Sequence, residues 1–85
     1  MSIHTVERVL FDLASGPSPV ADYKAHPQKF LSAYPLAADE VRMIMEMDVR
    51  MMVDRSLNHM MAMRGFIAVE GRDRMPEYFR RLREN

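Results

Sequence analysis

Residues 37–63 read AADEVRMIMEMDVRMMVDRSLNHMMAM, and how this stretch is read decides the fold. Asp39 and Glu40 stand where the first turn of a helix favours carboxylates, at the positive end of its dipole. Val41, Ile44 and Met45 recur at helical spacing and are predicted to share an inner face, which Asp48 either joins or ends. A short carboxylate can accept bonds from the free amides that open a helix, so a break near Met47 to Asp48 is favoured, with DVRMMVDR as a new helix. The run SLNHMMAMRGFIAVEG, residues 56–71, keeps helical composition to about Met63 and frays toward Gly65 and Gly71. That predicts a loop over residues 65–73.

On the N-terminal side, TVERVLFDLAS places Val6, Val9, Leu10 and Leu13 at helical spacing, with Thr5 as the expected N-cap. Gly16, Pro17 and Pro19 end this helix, and Ser18 followed by Pro19 reads as cap and first residue of a short helix over roughly 19–25. Pro27 repeats the pattern after His26, and QKFLSAY carries Phe30, Leu31 and Tyr34 on one face before Pro35 stops it. On the C-terminal side, Asp73 and Pro76 introduce a helix over about 75–83 in which Met75, Tyr78, Phe79 and Leu82 recur at helical spacing. FIAVEG is a weak strand candidate and no other run alternates between turn signals. The fold class that follows is all-α: a single compact multihelical domain of roughly five to seven short helices over residues 1–85.

Composition narrows the function. A chain of 85 residues holds one domain, and 48% hydrophobic with 28% charged residues is the balance of a folded one. Twelve basic residues offset twelve acidic ones, so no global field draws nucleic acid or an anionic membrane. Cysteine is absent, which removes disulfides, thiolate zinc sites and cysteine nucleophiles and fits a reducing compartment. No stretch approaches the apolar length of a membrane span, no leader-like start is present, and the chain reads as cytoplasmic.

Catalytic chemistry is sparse. His4, His26 and His59 are not spaced as a local metal pair, and no Gly-rich phosphate loop or nucleophile elbow occurs. Ten methionines invite thoughts of a soft metal, but residues two apart on a helix point away from each other, so Met43, Met45 and Met47 do not converge. A methionine surplus instead suits an adaptable core or a surface that must fit an irregular partner. Arg72, Arg74, Arg80, Arg81 and Arg83 form an arginine-rich end that could touch phosphate or an acidic partner, but Asp73, Glu77 and Glu84 dilute its field and a solvated face is the favoured reading.

The stretch from Phe30 to Gly71, FLSAYPLAADEVRMIMEMDVRMMVDRSLNHMMAMRGFIAVEG, resembles the small LigA-type subunit of the class II extradiol aromatic ring-opening dioxygenases. VERVLFDLAS and DYKAHPQKF extend the likeness. Tyr34, Leu36, Asp39 and Glu40 take the places of an aromatic helix end and an acidic helix start. Asp48 matches an Asp that opens the next helix, and Asn58 an Asn ahead of an apolar helix. A glycine usual before that Asn is replaced by Arg55, Ser56 and Leu57.

The resemblance implies a multihelical subunit without catalytic residues or a cofactor of its own. It would cap the active site of a larger β subunit that holds Fe(II), the cofactor expected in the partner alone. The loop from about Ile67 to Met75 would reach toward the substrate pocket. Asn58, His59, Met60, Met63 and Phe66 are the expected partner-facing stripe. A second reading is a stand-alone LigA-like recognition domain docking onto a modifying enzyme such as a peptide methyltransferase. A third is an independent helical interaction protein, with a homodimer as one form.

Overall fold

The computed structural model describes residues 3–83. In chain order its helices are α1 (Ile3–Ala14), α2 (Pro17–Ala25), α3 (Pro27–Leu31), α4 (Ala38–Met45), α5 (Val49–Asp54), α6 (His59–Glu70) and α7 (Met75–Arg83), with a 3-10 turn at Arg72–Arg74 before α7. No strand occurs among the described residues, and FIAVEG is helical up to Glu70. No described helix is long and apolar enough to cross a membrane. Glu84, predicted to sit on a solvated face, lies outside the described residues.

The stripe of α1 sets the core. Val6, Val9, Leu10 and Leu13 are all buried, and Ile3 continues the same stripe one turn earlier, packing on the core. That extra turn explains why the helix starts before Thr5 instead of being capped by it. Against this stripe lies α6, whose Ala62, Gly65 and Phe66 face inward. Gly65 is where the two helices touch: a Cβ there would fall 2.7 Å from Leu10 Cδ2 and 3.1 Å from Leu10 Cβ. The residue expected to fray the helix is therefore a contact, and α6 runs unbroken to Glu70. The predicted loop over 65–73 shrinks to Gly71, at φ 102°, where glycine is favoured.

Two consecutive corners position α5 and α6. After α4, Met47 takes φ 50°, its N–H bonds the Ile44 carbonyl at 3.0 Å and the Asp48 N–H bonds that of Met43 at 3.0 Å. After α5, Ser56 takes φ 76°, its N–H bonds the Val53 carbonyl at 2.9 Å and the Leu57 N–H that of Met52 at 3.0 Å. Both are Schellman ends made without glycine. Each corner then feeds a side-chain cap. Asp48 Oδ1 accepts from Met51 N at 3.1 Å and Asn58 Oδ1 from Met61 N at 3.2 Å. Asp48 is thus a cap, the second of its two sequence readings.

Other expectations shift in detail. α2 begins at Pro17 with Gly16 ahead of it, so Ser18 is not a cap. Both prolines fit because the first turn needs no amide donors. α3 stops at Leu31, but a turn carries Tyr34 inward, where its hydroxyl donates to Asp12 Oδ2 at 2.6 Å. On α4 the buried residues are Glu40, Met43 and Ile44, while Met45 is exposed. Glu40, Met43, Ile44 and Met47 turn inward together, which leaves Met45 on the outer side, and Glu40 Oε1 accepts from Ala37 N at 2.8 Å.

α7 closes the base. Tyr78 is buried, with its ring 5.4 Å from that of Phe66. The Arg81 guanidinium stands over Phe66 at 5.3 Å and donates to the Met47 carbonyl at 3.3 Å. Arg50 in turn donates to the Leu82 carbonyl at 2.9 Å. The result measures 31 × 27 × 17 Å between Cα extremes, about two helix layers thick.

Candidate functional site

Phe11 is the first residue out of place. It sits one position past the buried Leu10, so a rotation of about 100° carries it off the inner stripe of α1, and it is 51% exposed. Across from it α6 presents Met61, Arg64 and Ala68, neighbours at helical spacing on the flank beside its buried face. The close approach at Gly65 brings these two flanks together, and the small side chains Ala14 and Ala68 leave a depression between them. This hollow, lined also by Ile67 and Arg72, has a volume of about 340 Å³.

It does not end there. Phe11 and Met61 also line a neighbouring hollow of about 300 Å³ that reaches Glu7 and Arg8. At the other end Ala14 and Ala68 line one of about 490 Å³ that continues beside α2 past Val20 to Lys24. The three share walls and form one open trough along α1 and α6, about 10 Å long between Glu7 and Ala14 alone.

Charge along the trough is uneven. Arg8 pairs with Asp12 at 3.3 Å and lies 5.7 Å from the centre of the Phe11 ring. Glu7 is occupied as well, since its Oε2 accepts from Asn58 N at 3.0 Å. Arg64, Arg72 and Lys24 form no ion pair among the described residues.

The expected partner stripe is divided by the fold. Asn58 caps α6 with its side chain, and His59 and Met60 are exposed, Met60 at 56%. Met63 is half-buried against the core, and Phe66 is fully buried at 0%. The physical reason is that Phe66 faces α7, which covers it with Tyr78 and Arg81, and the Tyr78 hydroxyl also donates to the His59 carbonyl at 3.5 Å. Phe66 is therefore no part of an exposed surface. The region expected as a loop over Ile67–Met75 is helical on both sides of Gly71.

The methionines divide too: Met43, Met47 and Met52 are fully buried, and Met45, Met51 and Met60 are exposed. His4, His26 and His59 are all exposed and lie on different helices or between them. Titration is perturbed at structural pairs. Burial and the bond to Asp12 push the Tyr34 hydroxyl up to about 12. Arg80 and then Arg81 hold the Glu77 carboxyl down to about 2.

Sequence reasoning missed Phe11 and Arg64, and placed Arg72 only within the arginine-rich C-terminal run. A large aromatic just off an otherwise regular apolar stripe was the available signal for Phe11. Arg64 gave none, and only the packing of α1 on α6 brings it to one trough with Arg72. The chain matches no protein family, no curated protein and no solved structure.

Proposed function

We propose that this chain is a non-catalytic subunit of the LigA type, which packs on a larger iron-bearing β subunit of an extradiol ring-opening dioxygenase and caps its active site. The observation that carries the reading is the pair of caps at Asp48 and Asn58. The likeness asks for an Asp opening one helix and an Asn opening the next, and both residues hold those positions with their side chains bonded to the third amide beyond. Ser56 adds support, because the left-handed backbone at φ 76° falls in the segment where the likeness has a glycine. The exposed Phe11 and Met60 and the trough between α1 and α6 give such a subunit apolar surface to bury.

The test is isolation of the tagged chain from its native host together with what it binds, followed by assays for iron and for oxygen-dependent cleavage of protocatechuate. The expected result is a complex with a larger Fe(II) protein whose ring cleavage falls when the small chain is removed. An isolated large chain that works at an unchanged rate overturns the reading. So does a complex built on a methyltransferase, which favours the recognition-domain alternative.

A further inference from the structure

The trough between α1 and α6 has an apolar floor and a charged margin, and the two together select an occupant. Phe11, Met61, Ile67 and Ala68 give the floor, which a stripe of apolar side chains on another helix would fill. The trough extends through three adjoining hollows of about 300, 340 and 490 Å³, far longer than a small molecule needs. It follows the direction of a helix pair, which is the shape of a helix-in-groove site.

The margin sets the sign. Four of the charged residues lining the three hollows are the cations Arg8, Lys24, Arg64 and Arg72, and the one anion is Glu7. The whole chain is formally neutral, so this is a local excess. Elsewhere the arginines are largely matched within the chain: Arg50 by Asp54, Arg55 by Asp39, Arg74 by Glu70 and Arg81 by Glu77. Arg64 on α6 and Arg72 in the turn that follows it both line the trough's edge without such partners among the described residues. Two open guanidinium groups along one edge suit carboxylates on one side of a docked helix.

We infer that this trough binds an acidic amphipathic helix of a partner protein, with its apolar stripe on Phe11 and Met61 and its carboxylates on Arg64 and Arg72. The inference rests on the proposed role of the chain as a subunit only in that such a role supplies the partner.

The probe is a synthetic helical peptide of about 16 residues, long enough to hold a helix, with Leu at helical spacing and Glu on both flanks. A second peptide carries Lys in place of Glu. Fluorescence anisotropy and amide shifts of the labelled full chain are the readouts. The Glu peptide is expected to bind, to shift amides of α1 and α6, and to weaken as salt rises. The double variant Arg64→Glu, Arg72→Glu should lose at least ten-fold in affinity for it and gain affinity for the Lys peptide. Arg42→Glu with Arg83→Glu, outside the trough, should leave binding unchanged. Should the first variant not melt cooperatively, Phe11→Ser tests the floor instead and should also cost at least ten-fold.

Equal binding of both peptides, or shifts outside α1 and α6, overturns the inference. Self-association of the chain through the trough amides, seen by sedimentation, overturns it in favour of a second copy. Shifts of the same amides by benzoate with none by the peptide overturn it in favour of a small carboxylate. The two proposals fail separately. A native complex that cleaves protocatechuate but survives the Arg64 and Arg72 reversal sinks the trough alone, and a complex lost on that reversal but devoid of iron sinks the dioxygenase role alone.

Discussion

Two residues with opposite backbone demands show how closely the chain is drawn. Ser56 holds φ 76°, a left-handed conformation that costs an L-residue about 1–2 kcal/mol and glycine almost nothing. Ser56→Gly is expected to raise stability by about 0.5–1 kcal/mol, because part of that relief is returned as greater freedom of the unfolded chain. Gly65 is the reverse case. A methyl group there gains about 1 kcal/mol of helix propensity but meets Leu10 at its Cβ, Cγ and Cδ2 within 3.2 Å. The far methyl can rotate away, yet the Leu10 Cβ cannot, so the helices must part. Gly65→Ala should therefore cost a net of about 1 kcal/mol, and urea midpoints of the two variants should move in opposite directions. Neither residue was legible in that role. A serine carries no mark of φ, and Gly65 reads as a helix breaker until the partner helix is known.

The helices themselves were largely legible, because their ends are written in local chemistry. Pro27 and Asp48 each mark an end that the structure keeps, whereas α3 stops at Leu31, short of Pro35, and the face of Met75, Tyr78 and Leu82 leaves Phe79 50% exposed. The failures are of phase and of tertiary contact. Met45 in place of Met43 follows from taking Val41, Ile44 and Met45 as the inner row where Glu40, Met43, Ile44 and Met47 turn inward, and Phe66 was available only while nothing had been laid across it. What lies across it is α7, whose internal ion pairs depend on pH. Glu77 binds Arg80 and Arg81, the second at 2.7 Å, and its carboxyl is held down to about 2 from 4.5. A carboxyl lowered in the folded state adds stability that is complete above its unfolded value and fades as pH falls through its folded one. Melting temperature should accordingly drop between about pH 5 and pH 2, and Glu77→Gln should flatten that drop. Part of the slope should survive in the variant, since Arg55 lowers the Asp39 carboxyl in the same way.

At the scale of the molecule, the all-α domain was legible and the arrangement of its faces was not. Amphipathic spacing tells which side of α1 is apolar, but the trough exists because α6 crosses α1 at Gly65, and no local pattern encodes that choice. Of the stripe drawn from sequence, Asn58, His59 and Met60 lie exposed, Met63 is half-buried and Phe66 is in the interior. A body about two helix layers thick has a large surface for its volume, so any surface a partner covered would weigh heavily for a chain of this length.

The three fully buried methionines, Met43, Met47 and Met52, set how this sequence can drift. Unbranched thioether chains bend into whatever space their neighbours leave, and exchange with leucine costs little. Much of the interior can thus be rewritten by single changes without harm. The Gly65 crossing and the two carboxyl or amide caps have no such latitude, so descendants of this chain would retain those few letters while the oily ones between them turned over.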